Sequence, residues 1–147
     1  MVRGYTMTYK ELKDRQQAEI NAFPFIWAFN EKQLADGMRK LGLNPDTDKD
    51  KLCSIGGGGI ICKTDAEAMR AMFDRHRREL LDAIEADSTG EGFIYDMFYT
   101  ELANHEYSYT GDVTDAVNAC GLTVEQLNAN PALIKGLKKA ADDQRDK

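Results

Sequence analysis

Helix-start chemistry recurs along this chain and constrains its fold more than any other feature. Thr8-Tyr-Lys-Glu11, Thr64-Asp-Ala-Glu67 and Thr123-Val-Glu-Gln126 each place a hydroxyl three residues before a carboxylate or amide. In that arrangement the two side chains satisfy each other's backbone N–H groups in the first turn of a helix. The first box predicts a helix to about Ala22, the second a long helix to about Ala86, and the third a short helix near the C-terminus. Asn30 predicts a further start, with that helix ending at Gly42.

Between the first two helices, residues 23–29 read Phe-Pro-Phe-Ile-Trp-Ala-Phe, which suits a strand beginning after Pro24. The four glycines at 56–59 lie between two short apolar runs, 52–55 and 60–62, as a hairpin loop would. A four-residue loop pairs Ile55 with Ile60 and sets Cys53 opposite Cys62 on one face, because strand side chains repeat every second residue. The two thiols read as reduced packing residues in preference to a redox pair.

After residues 87–91 the pattern gives a helix through about His105, a turn over 107–112, and a helix from Asp112 to Cys120 ended by Gly121. Pro131 opens a last helix, in which Lys135, Lys138 and Lys139 complement the C-terminal end of the helix dipole. Fraying is expected over 1–6 and 142–147. No segment rich in Gly, Ser or Pro separates two domains. The expectation is therefore an α+β fold: a helix-rich single domain over 1–147 with a small, mainly antiparallel sheet.

No run approaches the roughly 18 apolar residues of a membrane span, and the N-terminal sequence lacks the apolar core of a signal peptide. Three cysteines, Cys53, Cys62 and Cys120, are an odd number, unlike a disulfide framework, and favour a reducing cytoplasm.

Charge is segregated. From Glu79 through Ile134 there is no Lys or Arg, and 11 acids give that stretch a formal charge of −11. The remaining residues hold 14 acids and all 19 bases, a balance of +5 that brings the whole chain to −6. A one-signed field keeps a protein soluble and steers partners of opposite sign. Basic protein surfaces fit that field. Free nucleic acid does not, because phosphate binding needs a clustered positive footprint.

Few residues offer chemistry. The glycine run followed by Lys63-Thr64 fails as a phosphate loop, since Ile60-Ile-Cys62 intervenes where Gly should precede Lys directly. His76 and His105 both fall on apolar helical faces, and Glu101 lies one turn before His105. Glu101 and His105 are open to two readings: a proton-transfer pair, or a buried structural hydrogen bond. The second is favoured, since no Ser or Cys nucleophile is placed beside them. A zinc site using His76, His105, Glu101 and a cysteine would lack any close-spaced ligand pair of the usual form. No cofactor is expected.

The region 91–115 combines acids with Phe93, Tyr95, Phe98, Tyr99, Tyr107 and Tyr109. Tyrosines ringed by carboxylates would meet the Arg and Lys of a partner. The residues that would carry such an interface are Glu91, Asp96, Tyr99, Glu106, Tyr107, Tyr109, Asp112 and Asp115, with Asp96 solvent-accessible opposite the core. The same aromatics would serve equally well to build the core.

The runs Tyr9-Lys-Glu-Leu-Lys-Asp-Arg-Gln-Gln17, Ser54-Ile-Gly-Gly-Gly-Gly-Ile-Ile61 and Glu101-Leu-Ala-Asn-His-Glu-Tyr107 resemble small uncharacterised proteins of bacterial phages and other mobile elements. The resemblance carries no catalytic signature. It implies a setting inside an infected host cell, where small acidic proteins include anti-CRISPR proteins that put carboxylates where phosphates would lie. The resulting expectation is a cytoplasmic, non-enzymatic inhibitor of a basic bacterial protein such as a CRISPR effector nuclease, with no direct nucleic-acid or membrane contact. The alternatives are a small enzyme using Glu101 and His105, and a phage accessory or assembly protein.

Overall fold

A computed structural model describes residues 7–145. In chain order the elements are α1 (Tyr9–Ala22), β1 (Ile26–Trp27), α2 (Glu31–Lys40), β2 (Leu52–Gly56), β3 (Gly59–Cys62), α3 (Ala66–Ala86), α4 (Phe93–Asn104), α5 (Tyr107–Thr110), α6 (Thr114–Ala119), α7 (Val124–Ala129) and α8 (Pro131–Arg145). The fold is helix-rich α+β with a three-stranded antiparallel sheet, as the sequence implies. Among the described residues, no helix is long and apolar enough to cross a membrane.

The helix starts follow from local chemistry. Thr8 Oγ1 accepts from Glu11 N–H at 3.1 Å while Glu11 Oε1 accepts from Thr8 N–H at 2.8 Å, so the first capping box forms. The Thr123–Gln126 box forms as well, and Asn30 accepts from Gln33 N–H at 2.8 Å. The box expected at Thr64 does not start α3. A single 3₁₀ turn, Lys63–Asp65, follows β3 instead, with Cys62 at its cap and no side-chain capping bond. Two further expectations change at the C-terminal half. Residues 107–110 form a helical turn, not an open one. The chain does not fray at 142, because α8 continues to Arg145 and Gln144 is buried with its amide donating to the Tyr99 carbonyl at 3.0 Å. Residues 1–6 and 146–147 lie outside the described residues.

Contacts divide the chain into two compact units, residues 15–77 and residues 1–14 with 78–147. The first, the sheet unit, has strand order β1-β3-β2. Its apolar interior includes Ile26, Met38, Ile61 and Met72. The hairpin exists where the glycines predict it, but its register is different. Gly57 and Gly58, with φ of 60° and 81°, make a two-residue turn of the kind that matches strand twist. Gly56 therefore pairs with Gly59, and an irregularity between Ser54 and Gly56 sets Ser54 opposite Ile60. Cys53 then faces Ile61, and Cys62 faces Leu52. A one-residue slip sends side chains to the other face, so the two thiols project from opposite sides of the hairpin.

The second unit is helical. Phe93, Ile94, Met97, Phe98 and Leu102 of α4 are buried among Tyr9, Leu12, Ile84, Val117, Leu133 and Ala140. Close approach is bought by glycine: a Cβ on Gly136 of α8 would stand 2.5 Å from Ile94 Cγ2 and 2.6 Å from the Gly90 carbonyl oxygen.

Candidate functional site

The acidic stretch does not present its carboxylates uniformly, and the fold sorts them. Asp87, just past the end of α3, accepts from the backbone N–H groups of Gly90 (3.0 Å), Gly92 (3.0 Å) and Ile94 (2.9 Å). Burial pulls its carboxyl upward, but the three N–H groups outweigh burial and hold it below the ordinary carboxylate value. This acid fixes the start of α4. The Asp-Ser-Thr-Gly sequence ahead of a helix is the local signal that marks such a role.

Of the eight candidate interface residues, half are committed to the fold. Glu91 is exposed but paired with Lys135 at 2.9 Å, and that bond lowers its pKa. Asp96 is half-buried, not the free surface acid expected, because it accepts from the Tyr9 N–H at 3.1 Å at the start of α1. Tyr99 is half-buried and stacks on Tyr95 with ring centroids 5.7 Å apart. Tyr107 is a core residue, turned inward by the α5 turn. The hydroxyl of Tyr95 donates to Asp143 at 2.7 Å, a bond that pushes Tyr95 up to about 12.

Glu106, Tyr109, Asp112 and Asp115 remain exposed within one short segment: Glu106 caps α5, Tyr109 lies on it, Asp112 follows it, and Asp115 is in the first turn of α6. Glu106 opens α5 with φ 56°, the sole left-handed residue other than glycine among those described, and Gly111 closes it with φ 68°. The two turns leave Tyr109 at 89% exposure between the carboxylates. Asp112 accepts from Thr114 Oγ1 and N–H, the latter at 2.8 Å, which lowers its pKa and fixes its direction.

The Glu101 carboxylate and the His105 ring stand within ion-pair distance but lack the expected side-chain hydrogen bond. Glu101 is buried, and its carboxylate accepts a hydrogen bond from the Tyr9 hydroxyl, with the Asn104 amide at 3.5 Å. His105 caps α4, half-exposed, with Nδ1 2.9 Å from the Glu101 carbonyl oxygen and 3.8 Å from the carboxylate. A carbonyl only accepts, so Nδ1 carries the proton. Burial and then the Glu101 bond raise the Tyr9 pKa, keeping the phenol protonated. Burial, and after it the Glu101 charge, push the Cys120 thiol up to about 12. These shifts run opposite to those that activate a nucleophile. Tyr9 went unrecognised from sequence because nothing local links it to a carboxylate 92 residues away.

In the sheet unit, His76 is buried as its apolar face implies, and its Nε2 lies 3.0 Å from Glu19 Oε1. Arg75 also binds Glu19. The Arg75 bond first, and the His76 bond second, bring the Glu19 carboxyl down to about 2. No curated protein and no solved structure matches the chain. A family model does match, over residues 8–143, and the chain therefore belongs to DUF7659, a family of unknown function.

Proposed function

We propose that this protein is a non-enzymatic binding protein that presents its 106–115 edge to a basic, phosphate-binding groove of a partner protein, in the manner of an inhibitor of nucleic-acid-targeting defence proteins. The observation that carries the reading is Tyr109, 89% exposed and flanked in the chain by the exposed acids Glu106, Asp112 and Asp115, in a stretch without a single Lys or Arg. An exposed phenol with exposed carboxylates before and after it in the chain matches a groove of Arg and Lys side chains, with the ring stacking on guanidinium and the acids pairing beside it. The defence setting rests on the resemblance to mobile-element proteins. The alternative of a Glu101–His105 enzyme has less support, since Glu101 is occupied by Tyr9 and the nearby phenol and thiol are held protonated.

The test is competition. The protein is added to a panel of purified RNA-guided nucleases before labelled target DNA, and DNA binding is followed by gel shift at two salt concentrations. Displacement that weakens with salt and is lost in the Glu106→Lys, Asp112→Lys, Asp115→Lys triple variant supports the reading. Unchanged DNA binding across the panel, or displacement that survives the triple reversal, rejects it.

A further inference from the structure

A cleft of about 530 Å³ in the sheet unit plays no part in the proposed 106–115 surface. Phe25, Ile26 and Trp27 line one side of it, and Asp36, Gly37 and Lys40 of α2 line the other. Successive residues of a strand point to opposite faces, so a cleft that touches both Ile26 and Trp27 runs along the edge of β1 and not over one face of the sheet. Strand order agrees, since β1 is one of the two outer strands among the described residues.

The ladder shows which backbone groups face that edge. The Ala28 N–H donates to the Gly58 carbonyl at 2.9 Å, and Ile26 stands opposite Ile60. Bonded pairs alternate in an antiparallel ladder, so the N–H and C=O of Trp27, between the two bonded positions, point away from β3. The helix wall is close. A Cβ on Gly37 would stand 2.5 Å from Ile26 Cγ2, so α2 lies flush against the strand.

Charge then selects the occupant. Asp36 is engaged by Lys32 at 3.0 Å and Arg39 at 3.2 Å. Lys40, exposed one turn further along, adds only a lesser, longer-range contribution to Asp36. The charge left to the cleft is positive. Trp27, 55% exposed, and Phe25 supply its apolar lining, with their ring centroids 5.3 Å apart and the indole reaching across toward Gly59 of β3.

We propose that this cleft accepts a short extended peptide from another protein as an added strand on β1. The peptide pairs through the main chain of Trp27, lays an apolar side chain on the Trp27 and Phe25 rings, and turns a carboxylate toward Lys40. Main-chain bonds set its register and the two side-chain contacts set its specificity. Pro24 and the brevity of β1 limit the pairing to a few residues, which keeps the edge from open-ended strand addition.

Trp27 is the only tryptophan, so emission reports on this one lining residue. A display library of unconstrained octapeptides is selected on the intact chain and counter-selected on Lys40→Glu, an exposed substitution whose folding is checked by circular dichroism. Enriched peptides are synthesised and titrated while Trp27 emission is followed. The expected result is an acidic, apolar consensus, a saturable blue shift, and loss of binding when the backbone nitrogen of the residue opposite Trp27 is methylated. Lys40→Glu should weaken binding about tenfold. No enrichment, equal binding by Lys40→Glu, or undiminished binding by peptides methylated at each position in turn would overturn the proposal. An emission change that tracks the concentration of the chain itself would overturn it too, by assigning the edge to a second copy.

Discussion

The hydroxyl of Tyr9 donates to the buried carboxylate of Glu101, joining the first turn of α1 to the last turns of α4. Replacing Tyr9 with Phe leaves that carboxylate buried with little more than the Asn104 amide at 3.5 Å. An unsatisfied buried acceptor costs about 1–3 kcal/mol, and Tyr9→Phe should lose that much in urea denaturation. His105→Ala should lose less, because His105 hydrogen-bonds a backbone carbonyl at a half-exposed helix end and stands 3.8 Å from the carboxylate. Equal losses in the two variants would show that the histidine, too, supports the carboxylate.

Asp87→Ala removes both carboxylate oxygens that accept from three backbone N–H groups at the start of α4. Loss of a capping acceptor costs about 0.5–2 kcal/mol, and the upper end is expected here. Asp87→Asn, which keeps an acceptor oxygen, should fall between wild type and Ala. A melting temperature unchanged by the Ala substitution would remove Asp87 from this role.

The Glu19 carboxyl sits at about 2, against an ordinary value of 4.5. A lowered value in the folded state means that the stabilisation is complete above pH 4.5 and is lost as pH falls toward 2. Unfolding midpoints measured across that window should therefore drop more steeply in wild type than in Glu19→Gln. Parallel curves would show that Glu19 is not coupled to folding.

Cys120 should resist thiol reagents in the native state, because burial has raised its pKa to about 12. Cys53 and Cys62, on opposite faces of their hairpin, should not join to each other under mild oxidation. Peptide mapping by mass spectrometry reads both outcomes, and a 53–62 disulfide in folded protein would contradict the observed register.

Charge reversal separates surface acids from structural ones. Glu106→Lys, Asp112→Lys and Asp115→Lys together should leave the melting temperature nearly unchanged, since exposed charges add little to stability. Asp96→Lys should lower it clearly, by placing an ammonium against the Tyr9 N–H. If Asp96→Lys were as stable as wild type, its carboxylate would be a surface group after all.

The helices were legible because capping is local: Thr8, Asn30 and Thr123 bond to N–H groups three residues away. The hairpin was legible as an event and not as a register, since four glycines fix neither the length of the turn nor the irregularity beside Ile55. Within the candidate site, the exposure of Glu106, Asp112 and Asp115 was readable from charge alone. Asp96 was not, because the N–H that draws it inward belongs to a residue 87 positions earlier. Tyr107 and Tyr109 look alike in sequence, and a single left-handed residue at 106 directs one into the core and the other into solvent.

The Asp87 clamp also bears on the order of folding. Its acceptor and its farthest donor are only 7 residues apart, so closing that corner sacrifices little chain entropy. The Tyr9–Glu101 bond closes a loop of 92 residues and can form only when most of the helical unit is already assembled. Asp87 substitutions should accordingly slow refolding, whereas Tyr9→Phe should leave the refolding rate alone and hasten unfolding. The Asp87 clamp and the Tyr9–Glu101 bond, which anchor α4 at its opposite ends, thus mark its earliest and its latest moments.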